Sequence, residues 1–135
     1  MRSATFHFFG GFVCAVVACL AGCRSKPLMV ISNNFGVPVT LVSDEDARTA
    51  SRGQVQTIPF PTGTEELIVV RGSQALRYPL LYPQPADRYW DFRGLGKQMF
   101  FYSLTPTGEL VVLLPGDRAQ AEPQPAGFPL APKQE

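Results

Sequence analysis

The sequence predicts an all-β fold, a small antiparallel β-sandwich, with a distinct segment at either end. Three observations carry this. Between Leu28 and Leu114 the apolar residues fall in short runs rich in Val, Ile, Phe and Tyr, and no helical period persists for even three turns. Clusters of Pro, Gly, Asn and Ser separate the runs at intervals typical of a sandwich. Where the runs alternate, as in Val37, Val39 and Leu41 against Pro38, Thr40 and Val42, they give the pattern of a strand with two unlike faces.

Leu28 to Ser32 reads as the first strand, closed by Asn33-Asn34-Phe35-Gly36, whose Asn and Gly tolerate positive φ. Val37 to Ser43 is the second, and Pro38 places its start on an edge or before pairing begins. Ser43 to Gly53 is polar throughout and reads as a connection. A short strand, Gln54 to Ile58, is stopped by Pro59, Pro61 and Gly63. Glu66 to Arg71 is the strongest run, and its unbroken Leu67-Ile68-Val69-Val70 predicts cover on both faces and a central place. Gly72-Ser73 turns the chain into Ala75 to Leu81, after which Pro79, Pro83 and Pro85 break pairing before Arg88 to Phe92. Gly94 and Gly96 make the next turn. Gln98 to Leu104 and Glu109 to Leu114 form the clearest hairpin, joined by Thr105 to Gly108.

Seven or eight strands in this length predict two packed sheets of immunoglobulin-like or transthyretin-like kind, with a small open barrel as the alternative. Strand order does not follow from the runs. Residues 115–135 hold five prolines and only two large apolar residues, Phe128 and Leu130, too few to offset the entropy of ordering them alone. The expectation is a disordered or polyproline-like tail that serves as a spacer, as a docking segment or as a reach toward the cell wall.

At the N-terminus, Arg2 supplies a positive start and Phe8 to Leu20 an apolar run interrupted by Gly10-Gly11. The run is shorter than the roughly 20 apolar residues of a membrane span. It closes on Leu20-Ala21-Gly22-Cys23, where two small residues leave the peptide bond before Cys23 sterically open and a sulfur nucleophile follows it. This resembles the lipobox of bacterial lipoproteins. Val16 to Cys19 is a looser match that lacks the favoured leucine.

The resemblance implies that residues 1–22 are a signal peptide, that the Cys23 thiol is diacylated and its new amine acylated, and that the protein is held by lipid in the cell envelope. Arg24, where an aspartate favours inner-membrane retention in such proteins, implies the outer membrane of a two-membrane bacterium, facing periplasm or surface. Each buried methylene contributes about 0.8 kcal/mol, so two or three chains hold firmly. Residues 23–27 form the lipidated cysteine and a linker, 28–114 the sandwich and 115–135 the tail. A linker from Arg24 to Pro27 spans at most roughly 15 Å. The domain therefore sits at the membrane surface, with Arg24 and Lys26 near the headgroups.

Of the twelve basic residues the signal peptide removes only Arg2, so the remainder balances the eleven acidic residues and offers no field for nucleic acid. Cys14, Cys19 and His7 are removed with it, and Cys23 carries lipid. That excludes disulfides, Ser-His-Asp and Cys-His catalysis, and zinc sites built on His or Cys within residues 24–135. No cofactor or metal is expected. Asp44-Glu45-Asp46 has a spacing used by calcium loops but lacks the glycine and later glutamate they need. Asp87 and Asp91 are the pair to weigh for carboxylate hydrolysis, and a domain this small has little room for the cleft it requires.

Arg77 to Arg93 gathers arginines with Tyr78, Tyr82, Tyr89, Trp90 and Phe92, a composition found in protein interfaces and sugar-stacking platforms. Period 2 puts Trp90 in the core and Tyr89 with Arg93 outside. Tyr78, Tyr82, Tyr89 and Arg93 are the candidate binding face. The expectation is a non-enzymatic, membrane-anchored accessory or assembly subunit with an envelope protein partner. The alternative is a glycan- or peptide-binding lipoprotein that uses the exposed Arg and Tyr face.

Overall fold

The computed structural model describes residues 27–43, 46–61, 66–93 and 97–133. Residues 1–26, which hold the expected signal peptide, Cys23, Arg24 and Lys26, lie outside that range. In chain order the elements are β1 (Leu28–Asn33), β2 (Val39–Ser43), β3 (Asp46–Ala50), β4 (Val55–Pro59), β5 (Glu66–Arg71), β6 (Gln74–Pro79), a single helical turn α1 (Ala86–Tyr89), β7 (Trp90–Arg93), β8 (Lys97–Leu104) and β9 (Leu110–Leu113).

They form two sheets, and the expected sandwich is what results; the open barrel is not. One sheet runs β4-β1-β8, and the other side of β8 carries β7 along its first half and β9 along its second. The second sheet runs β3-β2-β5-β6. All pairs are antiparallel except β1 with β8, which run parallel from Leu28 opposite Met99 to Asn33 opposite Leu104. These two strands are far apart in sequence, so no hairpin dictates their direction.

Register decides which side chains meet. From the first sheet, Met29, Ile31, Ile58, Phe100, Tyr102, Leu104, Leu110 and Val112 enter the core. From the second, Val39, Leu41, Leu67, Val69 and Tyr78 oppose them. β5 is central, between β2 and β6, as its apolar run predicts. Its outer face is not covered, however: Leu67 and Val69 are buried while Ile68 and Val70 are half-buried.

Two expectations need correction. Part of the polar connection after Ser43 is a strand, β3, paired residue by residue with β2. It is an edge strand with three consecutive exposed residues, Ala47, Arg48 and Thr49, and an edge tolerates such polarity because much of it faces water. Residues 115–133 are packed rather than disordered. The Leu114 amide donates to the Ala119 carbonyl, Ala121 N–H to Val112 C=O, and Leu110 and Leu130 exchange both backbone bonds. The Gln124 amide both accepts from Val112 N–H at 2.8 Å and donates to its carbonyl at 2.9 Å. Ala121 and Leu130 are buried, and Phe128 packs near Tyr102. The segment builds no core of its own; it completes the outer edge of β9 and adds its few apolar side chains to a core already made.

The β8–β9 turn shows how closely this core is fitted. Gly108 has φ +85°, and a Cβ there would lie 3.0 Å from the Phe35 ring. The Gly108 carbonyl accepts a 2.7 Å hydrogen bond from the buried Tyr78 hydroxyl. Tyr102 is equally buried, but among the described residues its hydroxyl has no hydrogen-bond partner.

The two tyrosines therefore respond differently to loss of the hydroxyl. Tyr78→Phe should lower unfolding stability by about 1 kcal/mol or more, because it orphans a buried carbonyl, whereas Tyr102→Phe should be neutral or stabilising. Denaturant unfolding of both variants checks this contrast.

Candidate functional site

Of the four residues of the expected binding face, the three tyrosines do not share a surface. Tyr78 is 0% exposed, because its place opposite Leu67 turns it inward. Tyr89 is 3% exposed and belongs to α1, with the Arg88 guanidinium 5.7 Å from its ring centroid. Arg93 ends β7, and its side chain lies outside the described part of the structure. Tyr82 alone of the three tyrosines is open, at 43% exposure. Burial pushes the Tyr78 hydroxyl up to about 12, consistent with a structural role.

The sequence held a signal for Tyr78: Leu76, Tyr78 and Leu80 alternate with Ala75, Arg77 and Pro79, which marks Tyr78 as a core position. Tyr89 was misplaced because Pro85 starts a helical turn, and strand alternation holds only from Trp90 onward. Trp90 lies opposite Phe100 on the core side, as expected, but is only half-buried.

Tyr82 is fixed by its neighbours. Its ring stacks on Phe60, with centroids 4.5 Å apart and planes 16° apart, and tilts against Phe100 at 5.7 Å. Phe60 packs edge-on to Phe100 at 6.1 Å. Leu81 beside Tyr82 is 50% exposed. The result is a rigid apolar tip with one aromatic face turned to solvent.

A second feature was not anticipated. β6 is an edge of its sheet, and between it and the end of the C-terminal segment lies an open groove of about 790 Å³, lined by Gln74 to Arg77 and Ala131 to Lys133. The Lys133 N–H donates to the Arg77 carbonyl at 2.7 Å, so this edge already receives one rung from an extended segment. Alternation along an antiparallel strand turns the Ala75 backbone groups to the same side as those of Arg77. Glu66, on β5 next to β6, accepts hydrogen bonds from the Lys133 ammonium and from Arg77 Nη1. Those two cations, Lys133 first, hold the Glu66 carboxyl below its usual range.

Of the carboxylates weighed for other chemistry, Asp46, Asp87 and Asp91 lie on β3, α1 and β7. Asp46 pairs with Arg48 at 3.3 Å in β3, while Asp44 and Glu45 lie outside the described residues. Asp87 is exposed on α1 and Asp91 half-buried on β7. Among the described residues no cluster of His, Cys, Asp and Glu suits a metal ion.

Comparison with protein-family models, with curated proteins and with solved structures returns no match.

The Glu66 clamp makes the end of the C-terminal segment acid-sensitive. A carboxylate whose pKa is lowered by folding adds stability above its unfolded value, near 4.3, and loses it as pH falls through the folded value. Protection of the Lys133 amide, its exchange measured against the intrinsic rate at each pH, should therefore fall as pH drops below about 4.3, ahead of protection in β8. In Glu66→Gln that acid-induced step should be absent.

Proposed function

We propose that this chain is a lipid-anchored envelope protein that acts as a non-enzymatic accessory or assembly subunit, recruiting a protein partner by strand addition at β6. Anchoring is supported by Leu20-Ala21-Gly22-Cys23 and the apolar run before it. The observation that carries the recruitment reading is the β6 edge: it faces a groove, and the chain's own Lys133 amide already pairs with Arg77 there. An incoming extended segment gains affinity from backbone hydrogen bonds and specificity from pockets for alternate side chains. Arg77 and Pro79 give the edge charge and a break, which discourage indiscriminate pairing.

A glycan- or peptide-binding role is favoured by one observation, the exposed ring of Tyr82 held flat on Phe60. A flat outward ring suits stacking of a sugar face or an aromatic side chain. Tyr78 and Tyr89, being buried, contribute nothing to such a face.

Photo-crosslinking in cells separates the two. A crosslinker in place of Ala75 in the full-length chain should give a discrete protein adduct, and the same group in place of Thr107, on the β8–β9 turn, should not. Ala75→Pro, which removes an edge N–H, should weaken capture of the same partner at least several-fold. Equal or absent adducts at both positions would reject recruitment at β6. Glycan-dependent change in tyrosine fluorescence, lost in Tyr82→Ala, would then favour the ligand-binding role.

A further inference from the structure

We infer that one end of the sandwich is a bilayer-contacting tip, in which Leu81 and Tyr82 enter the headgroup region of the membrane that holds the lipidated Cys23. This rests on the anchoring proposed above and adds to it the surface that meets the lipid.

The direction of β1 decides which end faces the membrane. The described chain enters at Pro27 and Leu28, so the anchor-proximal end is the one where β1 begins. The Pro27 carbonyl accepts a hydrogen bond from Phe60 N–H at 2.8 Å, and Phe60 carries Tyr82 stacked on its ring. The exposed Tyr82 and its neighbour Leu81 therefore sit beside the point where the anchor attaches. The other exposed large apolar residues among those described, Val37 and Val55, belong to the opposite end, beyond the close of β1 and opposite Ser32.

The chemistry of this end fits an interface between water and hydrocarbon. Tyrosine is favoured at headgroup level, where an apolar ring and a polar tip meet different media. Stacking on Phe60 prevents Tyr82 from folding into the core, which keeps it presented. Arg88 is exposed on α1, whose chain leads into β7 at this end, with Asp87 as an exposed acid beside it. Because β8 runs parallel to β1, its start lies here too: the backbone of Lys97 is two positions before Met99, the partner of Leu28, and pairs with Arg93. Two further acids border this end, Asp46 opposite Ser43 and Glu66 opposite Pro79, and both are paired with cations, Asp46 with Arg48 and Glu66 with Arg77 and Lys133.

Two side chains are a weak membrane ligand in free solution. The lipid anchor changes that, because a tethered contact is intramolecular and sees a high effective concentration of its partner. A linker of about 15 Å keeps the tip within reach at all times.

The test uses full-length protein, processed and lipidated in cells, purified and reconstituted into vesicles of phosphatidylethanolamine with phosphatidylglycerol. Residues 24–135 contain no cysteine, so Leu81→Cys and Thr107→Cys each offer one thiol for a nitroxide spin label. The label at 81 should be several-fold less accessible to an aqueous nickel chelate than the label at 107, and more accessible to oxygen. Adding Tyr82→Ser to Leu81→Cys should raise nickel access at 81. Equal nickel access at 81 and 107 in protein that floats with the vesicles would overturn the tip while leaving the anchor intact. Protein that fails to float, with an unmodified Cys23 by mass spectrometry, would overturn the anchoring and the tip with it.

Discussion

β8 is paired on both sides along almost its whole length, and the remaining strands of its sheet depend on that. β1 lies along one side, while β7 and β9 divide the other between them at Phe100 and Phe101. Phe100, Tyr102 and Leu104 from this strand reach into the core, where they meet side chains of the other sheet. Because β1 and β8 are separated by most of the described chain, the central pairing is non-local. Such a fold must close long loops before its main ladder can form, which places it among the slower topologies. The local hairpins β2–β3, β5–β6 and β8–β9 supply what can form early.

The two sheets are tied by two buried polar side chains, Asn33 and Ser43, besides the Tyr78 hydroxyl. The Asn33 amide, at the end of β1, donates to the carbonyls of Val37 and Ala50, and its oxygen accepts from Phe35 N–H. Ser43, at the end of β2, donates to the Pro59 carbonyl on β4 at 2.6 Å. Each residue therefore bonds from one sheet to the backbone of the other. A buried side chain that satisfies several carbonyls is costly to replace by an apolar one, since it leaves those groups without partners. Asn33 thus does more than permit the turn that its type announces in the sequence.

Sequence alone makes the sandwich legible because its strands carry β-branched and aromatic runs between turn residues, and each such run in the described chain contains a strand, although Arg88 and Tyr89 at the head of one belong to α1. What it conceals is partnership. Asp46 to Ala50 has no apolar pattern, and becomes β3 only because β2 offers it an edge. The segment after Leu114 is too poor in apolar residues to fold by itself, and composition cannot reveal that β9 leaves a row of backbone groups for it to satisfy. The tyrosines were sorted by composition where phase mattered more. Tyr78 follows the inward set Leu76 and Leu80, and Tyr82 comes after the strand has ended, so only the latter is free of the alternation that buries the former. The β6 groove was not legible at all, since it exists only where the end of the chain meets a strand from the other sheet.

The edges of the sandwich are treated unequally, and the same segment accounts for it. β9 is a short strand of Leu and Val, the kind of exposed edge that invites pairing with other chains, and the C-terminal segment covers it through Ala119, Ala121, Gln124 and Leu130. Having done so, the segment crosses to the other sheet and gives β6 a single amide, from Lys133, held by Glu66. One end of this strap is thus embedded in the core, and the other is a surface contact that solvent screens. A strand arriving at β6 therefore competes only with the weak end, and the cover on β9 stays in place. Under the proposed strand addition, that asymmetry leaves β6 open to a partner without exposing β9, the edge whose Leu and Val favour nonspecific association.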